Sequence, residues 1–111
     1  MGRLDGKIAL IVGGGSDGPP NSGEELSIGN GRATAITCAR EGASVMVADL
    51  KRELAVETAS AIRAEGHQAD VVGGDVSRED DCRRMVEEAV RRFGALQLLV
   101  NNVGIAIGRS L

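Results

Sequence analysis

A chain of 111 residues with 42% hydrophobic content lies in the range of one small domain and can bury a core of its own. Its net charge of -3 gives no basic field for nucleic acid, and the absence of Trp and Tyr removes most platforms on which bases stack. No apolar run approaches the roughly 20 residues needed to cross a bilayer, and the opening MGRLDGK is too polar for a signal peptide, so the expected setting is the cytoplasm, away from membranes.

The first apolar run, Ile8 to Val12, is short and β-branched, the pattern of a strand buried on both faces. A glycine-rich loop follows it, and Ala33, Ile36 and Ala39 then recur at helical spacing up to Arg40, with Glu41-Gly42 closing the helix. Ser44 to Asp49 is a second unbroken apolar strand, and Lys51 to Glu65 a helix with Leu54, Thr58, Ala61 and Ile62 on one face, stopped by Gly66. Ala69 to Gly74 is a third strand, weakened by its glycines. Ser77 with Asp80 three residues on resembles a capping box, and from there Cys82, Met85, Val86, Ala89, Val90 and Phe93 follow helical spacing until Gly94. Leu96 to Val100 is a fourth strand, with Asn101-Asn102-Val103-Gly104 as the turn after it. Cys38 and Cys82 fall in helical patterns with no C-x-x-C or Cys/His cluster near, so they are expected as buried thiols, and His67, in a glycine-flanked turn, as a surface residue.

This β-α-β-α-β-α-β order, with right-handed crossovers, predicts an α/β fold whose strands lie side by side as 3-2-1-4, half of a doubly wound parallel sheet. In such sheets ligands bind beyond the carboxyl ends of the strands, where the strand order reverses. Gly13, Asp49, Asp75 and Asn101-Asn102 all fall at those ends.

The loop between the first strand and the first helix carries the chemistry. Glycines let backbone N–H groups approach a ligand closely, and the positive end of a helix favours a phosphate. A literal G-x-G-x-x-G occurs at Gly13, Gly15 and Gly18, but Pro19 and Pro20 follow at once and are a poor way into a helix. The better register starts the turn at Gly13 and resumes it at Ser27-Ile28-Gly29, with Gly31 at the mouth of the helix, which makes Asp17 to Leu26 an inserted loop. Asp49 then lies 20 residues past Gly29, where an acid accepts hydrogen bonds from an adenosine ribose. A phosphate-cradling loop of the nucleotide hydrolases is a poorer reading, since no Gly-Lys-Ser/Thr follows the glycines.

The pieces LDGKIALIVGGGS, GRATAITCAREGA, VMVADL, GDVS, RRFG and LLVNNVGI together resemble the N-terminal, cofactor-binding half of the short-chain dehydrogenase/reductase family, over nearly the whole chain. The family's T-G-x-x-x-G-x-G is kept in part: Val12 stands for the threonine, Ser27 for the middle glycine, and the ten-residue loop intervenes. Its N-N-A-G appears as Asn101-Asn102-Val103-Gly104. The resemblance implies a Rossmann-like domain over 1–111 that binds a nicotinamide dinucleotide. Gly13, Ser16, Ile28 and Gly29 would line the diphosphate and adenosine ribose, Asp49 and Leu50 the ribose, Asp75 and Val76 the adenine, and Asn102 and Gly104 the nearby ribose and sheet junction. Asp49 favours NAD over NADP, because its carboxylate repels a ribose phosphate, an effect Lys51 and Arg52 partly offset. Structural alternatives stand beside these roles: Asp75 as a cap of the following helix, Asn101 and Asn102 as ties between strand ends. The run Ser27 to Ala33 also resembles the lengthened loop of enoyl-acyl carrier protein reductases, while the Asn101-Asn102 turn fits the main branch.

The family's chemistry, hydride transfer between the nicotinamide and an alcohol or ketone, uses a tyrosine, a lysine, a serine and an asparagine, and the resemblance puts all four beyond the fourth strand. This sequence holds no tyrosine, so the Tyr-x-x-x-Lys pair is not in it. No catalytic residue and no metal ligand are therefore assigned. Two classes of function remain: an oxidoreductase whose complementing C-terminal half lies elsewhere, or a non-catalytic dinucleotide-binding module or truncated remnant. An unpaired, apolar fourth strand would make the first class prone to self-association.

Overall fold

The computed structural model describes residues 2–15 and 31–102. The inserted loop, with Ser16, Ile28 and Gly29 around it, and Val103 and Gly104 lie outside the described residues. The elements are β1 (Ile8–Val12), α1 (Gly31–Arg40), β2 (Ser44–Asp49), α2 (Arg52–Ala64), β3 (Ala69–Gly73), α3 (Glu79–Phe93) and β4 (Leu98–Asn101). All pairings are parallel, in the order β3-β2-β1-β4 that the crossover rule predicts.

Period-two alternation along each strand sorts side chains between the two faces of the sheet. Ala9 and Ile11, with Val45, Val47 and Ala69, meet α1 and α2 on one side. Leu10 and Val12, with Met46, Ala48 and Val72, meet Met85 and Ala89 of α3 on the other. The apolar runs are unbroken because both faces are covered. Burying a side chain such as Leu10, Ile11, Met46 or Ile62 contributes about 1.5–3 kcal/mol.

The helices differ from their sequence pattern in which face they bury. In α1 the covered positions are Gly31, Ala35 and Ala39, with Ala33 exposed and Ile36 half-buried. The residues without bulk face the sheet because they permit the closest approach. In α2 the buried stripe is Ala55, Thr58, Ala59 and Ile62, while Leu54 and Ala61 are half-buried. In α3 only Met85 and Ala89 are buried; Val86 and Val90 are 37% and 43% exposed, so the apolar stripe is wider than the surface this part of the sheet covers. Gly94 ends α3 in the left-handed region, at φ 93, with its N–H bonded to Val90 O.

Other expectations are corrected in detail. The capping box at Ser77 and Asp80 does not form: Arg78 is the N-cap without a side-chain cap bond, the Ser77 hydroxyl donates to Asp75, and Asp81 reaches back to the Asp75 N–H. β4 begins at Leu98 rather than Leu96 and runs on to Asn101; Gln97, just before it, is tied to Ile8 twice, donating its backbone N–H to Ile8 O at 3.0 Å and accepting the Ile8 N–H on Oε1 at 2.8 Å. Cys38, Cys82 and His67 are half-buried, the cysteines are unpaired, and burial pushes the Cys38 thiol up. Among the described residues no helix is long and apolar enough to cross a membrane.

Candidate functional site

The carboxyl ends of the strands form one edge, tied across by backbone bonds. Gly13 N and Gly14 N both donate to Ala48 O, at 2.8 and 3.1 Å, so the turn after β1 folds over the end of β2. Gly74 N donates to Asp49 O, linking β2 to the end of β3, and Asn102 N donates to Val12 O, linking β4 to β1. Gly13 turns in the left-handed region, at φ 79, which a glycine adopts without strain. The mouth of α1 returns to the same turn: a Cβ at Gly31 would fall on the Gly13 carbonyl. The glycine that the close helix–strand contact demands is thus Gly31.

Asp49 stands at the centre of this edge, half-buried at the end of β2. Its Oδ2 accepts the Gly15 N–H at 2.9 Å, and its Oδ1 accepts the Lys51 N–H at 3.0 Å. A carboxylate has about four acceptor positions, so among the described residues each oxygen retains one for a further donor. Beside it, Leu50 is 69% exposed.

Beneath the turn lies a polar network the sequence reading did not single out. Thr58 of α2 is 0% exposed. Its hydroxyl donates to Gly14 O at 2.9 Å and accepts from Arg32 Nε at 3.0 Å. Arg32 also reaches Gly15 O at 3.2 Å and Glu57 Oε1 at 3.0 Å. The signal for Thr58 was a polar residue inside an apolar helical stripe; Arg32 carried none, since a cation opening a helix reads as solvated.

The remaining expected residues divide. Asp75 Oδ1 accepts from both the Ser77 hydroxyl, at 2.7 Å, and the Ser77 N–H, and these bonds hold its carboxyl below the usual carboxylate range. It closes the turn before α3 rather than capping the helix. Val76 packs on the α3-side core, and its carbonyl accepts from Cys82 Sγ. Asn102 behaves as a tie only through its backbone: its side-chain Nδ2 is buried and has no hydrogen-bond partner among the described residues. Among the described residues no cluster of His, Cys, Asp or Glu could hold a metal.

Comparison with known proteins agrees with this architecture. The family model for short chain dehydrogenase matches residues 26–111. General stress protein 39 of Bacillus subtilis is 38% identical over 103 residues, which is 92% of this chain and 32% of that protein. Cyclohexanol dehydrogenase of an Acinetobacter species is 36% identical over 103 residues, 93% of this chain and 36% of its own length. The crystal structure of a hydroxysteroid dehydrogenase from Escherichia coli superposes with a TM-score of 0.76 at 33% identity, over 89% of this chain and 37% of that one. The chain spans about a third of the length of the curated relatives it matches. A parallel sheet ordered 3-2-1-4, a glycine turn folded over β2 and a family match through most of its residues have one common explanation: the chain belongs to the short-chain dehydrogenase/reductase family of oxidoreductases.

Proposed function

We propose that these residues form the adenosine side of a nicotinamide dinucleotide site, in an oxidoreductase that moves hydride between the cofactor and an alcohol or ketone, with NAD preferred to NADP. The observation that carries the reading is Asp49, a carboxylate held at the reversal point of the sheet by two backbone amides, with acceptor capacity left on both oxygens among the described residues. A ribose diol is a pair of donors and suits it. A ribose phosphate would bring negative charge against negative charge.

Three observations support the fit of such a cofactor. The mouth of α1 lies against the Gly13 turn with no acidic residue in its first turn, so the positive end of the helix dipole favours a diphosphate there. Leu50, exposed beside Asp49, offers an apolar surface to the adenosine. The buried Asn102 Nδ2, a donor without a partner among the described residues, sits one residue past the end of β4, on the same edge. Bound here, a nicotinamide cofactor supplies the hydride donor or acceptor, and the residues of this chain bind and orient its adenosine half. The proton-transfer group is not among them, as the sequence has no tyrosine.

Calorimetric titration of the chain with NADH, alongside Asp49→Ala, tests the proposal. Saturable binding that the substitution weakens is the expected result. No binding by a folded chain would overturn it.

A further inference from the structure

We infer that Thr58, restrained by Arg32, is a positioning residue for the cofactor site: it fixes the Gly14–Gly15 peptide so that Gly15 N–H holds Asp49 in place. The inference rests on the proposed cofactor reading and adds to it a residue that touches no cofactor.

The geometry follows from one rigid unit. A trans peptide is planar, so fixing its carbonyl fixes the direction of its N–H. The carbonyl of the Gly14–Gly15 peptide accepts the Thr58 hydroxyl at 2.9 Å, and the N–H of the same peptide donates to Asp49 Oδ2 at 2.9 Å. Between two glycines a peptide has little local preference to keep it from flipping. Its orientation is therefore set by what holds its two ends.

The direction of the Thr58 bond is also determined. Arginine can only donate, so the Arg32 Nε contact at 3.0 Å makes the Thr58 oxygen an acceptor there and leaves its single proton for Gly14 O. Arg32 in turn bonds Gly15 O and Glu57, spanning from the mouth of α1 to α2 behind the turn. Because Thr58 is wholly buried, water does not replace its hydroxyl if it is removed. Asp49 would then lose its Gly15 donor and keep only the Lys51 N–H among the described residues, about which it can swing. A swinging carboxylate binds a ribose diol less well, and it can also turn away from a ribose phosphate. Thr58 accordingly governs both affinity for NADH and discrimination against NADPH.

The test uses Thr58→Val, which keeps the shape and removes the hydroxyl, with Thr58→Ser as the rescue and Arg32→Met as a second way to loosen the clamp. In Thr58→Val the dissociation constant for NADH should rise about 3- to 10-fold, the loss of one hydrogen bond, while that for NADPH changes less. Thr58→Ser should restore the original ratio, and Arg32→Met should narrow it. A purely structural role would weaken both cofactors alike. Amide hydrogen exchange, read by NMR without cofactor, supplies an independent readout: Gly15 should lose protection in Thr58→Val while Val47 in β2 keeps its own. An unchanged NADH-to-NADPH ratio, or unchanged Gly15 protection, would overturn the positioning role. Failure of the unsubstituted chain to bind NADH would instead overturn the cofactor reading on which it rests.

Discussion

Asp49 and Thr58 grip opposite ends of one peptide: the Asp49 carboxylate takes the Gly15 N–H and the Thr58 hydroxyl gives to the Gly14 carbonyl, each at 2.9 Å. One bond comes from the end of β2 and the other from the middle of α2, so the glycine turn is fastened to two consecutive elements. The fastening also bears on stability. Thr58→Val leaves the Gly14 carbonyl and Arg32 Nε without that partner in a buried place, at an expected cost of about 1–3 kcal/mol. The midpoint and slope of urea unfolding measure it, and a loss under about 0.5 kcal/mol would mean the network is relaxed by another route.

Gly31 and Gly66 make contrasting demands on a side chain. At Gly31 a Cβ would overlap the Gly13 carbonyl, which is backbone and cannot step aside. Gly31→Ala should cost about 1–3 kcal/mol or more and disturb the turn. At Gly66 the obstacle is only the φ of 89, with nothing within 4 Å of a Cβ. Gly66→Asn, a residue that tolerates the left-handed region, should cost no more than about 1 kcal/mol. Thermal unfolding of the two variants checks the order.

Acid should destabilise the fold through a set of bonded carboxylates. Burial acts to raise the Asp70 carboxyl, but the Val71 N–H with Arg92 and Arg63 outweighs it, leaving Asp70 below the usual range. Asp75 is lowered by Ser77, and Asp81 by the Asp75 N–H. A group whose folded pKa is depressed contributes stability that is fully present above its unfolded value, about 3.9, and is lost as pH falls through the folded one. Unfolding midpoints measured from pH 6 to pH 2 should therefore drop below about pH 4. Asp70→Asn should show a shallower drop than the parent, and an equal drop would remove Asp70 from the account.

The two edges of the sheet are finished differently. Along β3, side chains take backbone groups that a neighbouring strand would otherwise use: Arg63 bonds Ala69 O, Asp70 bonds Val71 N, and Arg84 bonds Gly73 O. β4, at the other edge, pairs with β1 alone among the described residues, and Leu99 is 60% exposed. Leu99 is in register with Leu10, whose side chain lies on the α3 face, the face on which Val86 and Val90 are also exposed. Open strand edges and apolar patches invite pairing. The 111-residue chain should associate with itself in sedimentation velocity, and Leu99→Lys should shift it toward monomer, whereas Arg84→Ala should not be needed for association. A monodisperse monomer at every concentration would contradict this.

Strand positions were legible because Ile8–Val12 and residues 45–48 are unbroken apolar runs, short enough for strands and bounded by polar or glycine residues, and their order followed from the crossover rule. The helix faces were less so. Periodicity marks apolar positions but not how closely a helix must approach, and in α1 closeness selected Gly31 and Ala35 over Ala33. The Ser77 and Asp80 spacing fits a capping box as sequence; the contest was decided by Asp75, whose Oδ1 takes the Ser77 N–H that Asp80 would accept in the box. Of the site, Asp49 was readable from its distance to the glycines and its place at a strand end. Thr58 was read as part of a helix face, and its bond to Gly14 joins positions 44 residues apart, which no local pattern encodes.

The measurement that bears most directly on the central claim is the binding of ADP-ribose and its 2′-phosphorylated counterpart to the chain, with Asp49→Asn in parallel. If Asp49 reads a ribose diol, ADP-ribose binds saturably and more tightly than the 2′-phosphate form. Asp49→Asn then weakens ADP-ribose by about 10-fold or more, the scale of a hydrogen bond to a charged group, and narrows the gap between the two ligands. Tighter binding of the 2′-phosphate form, or an affinity for ADP-ribose that the substitution leaves unchanged, would contradict it.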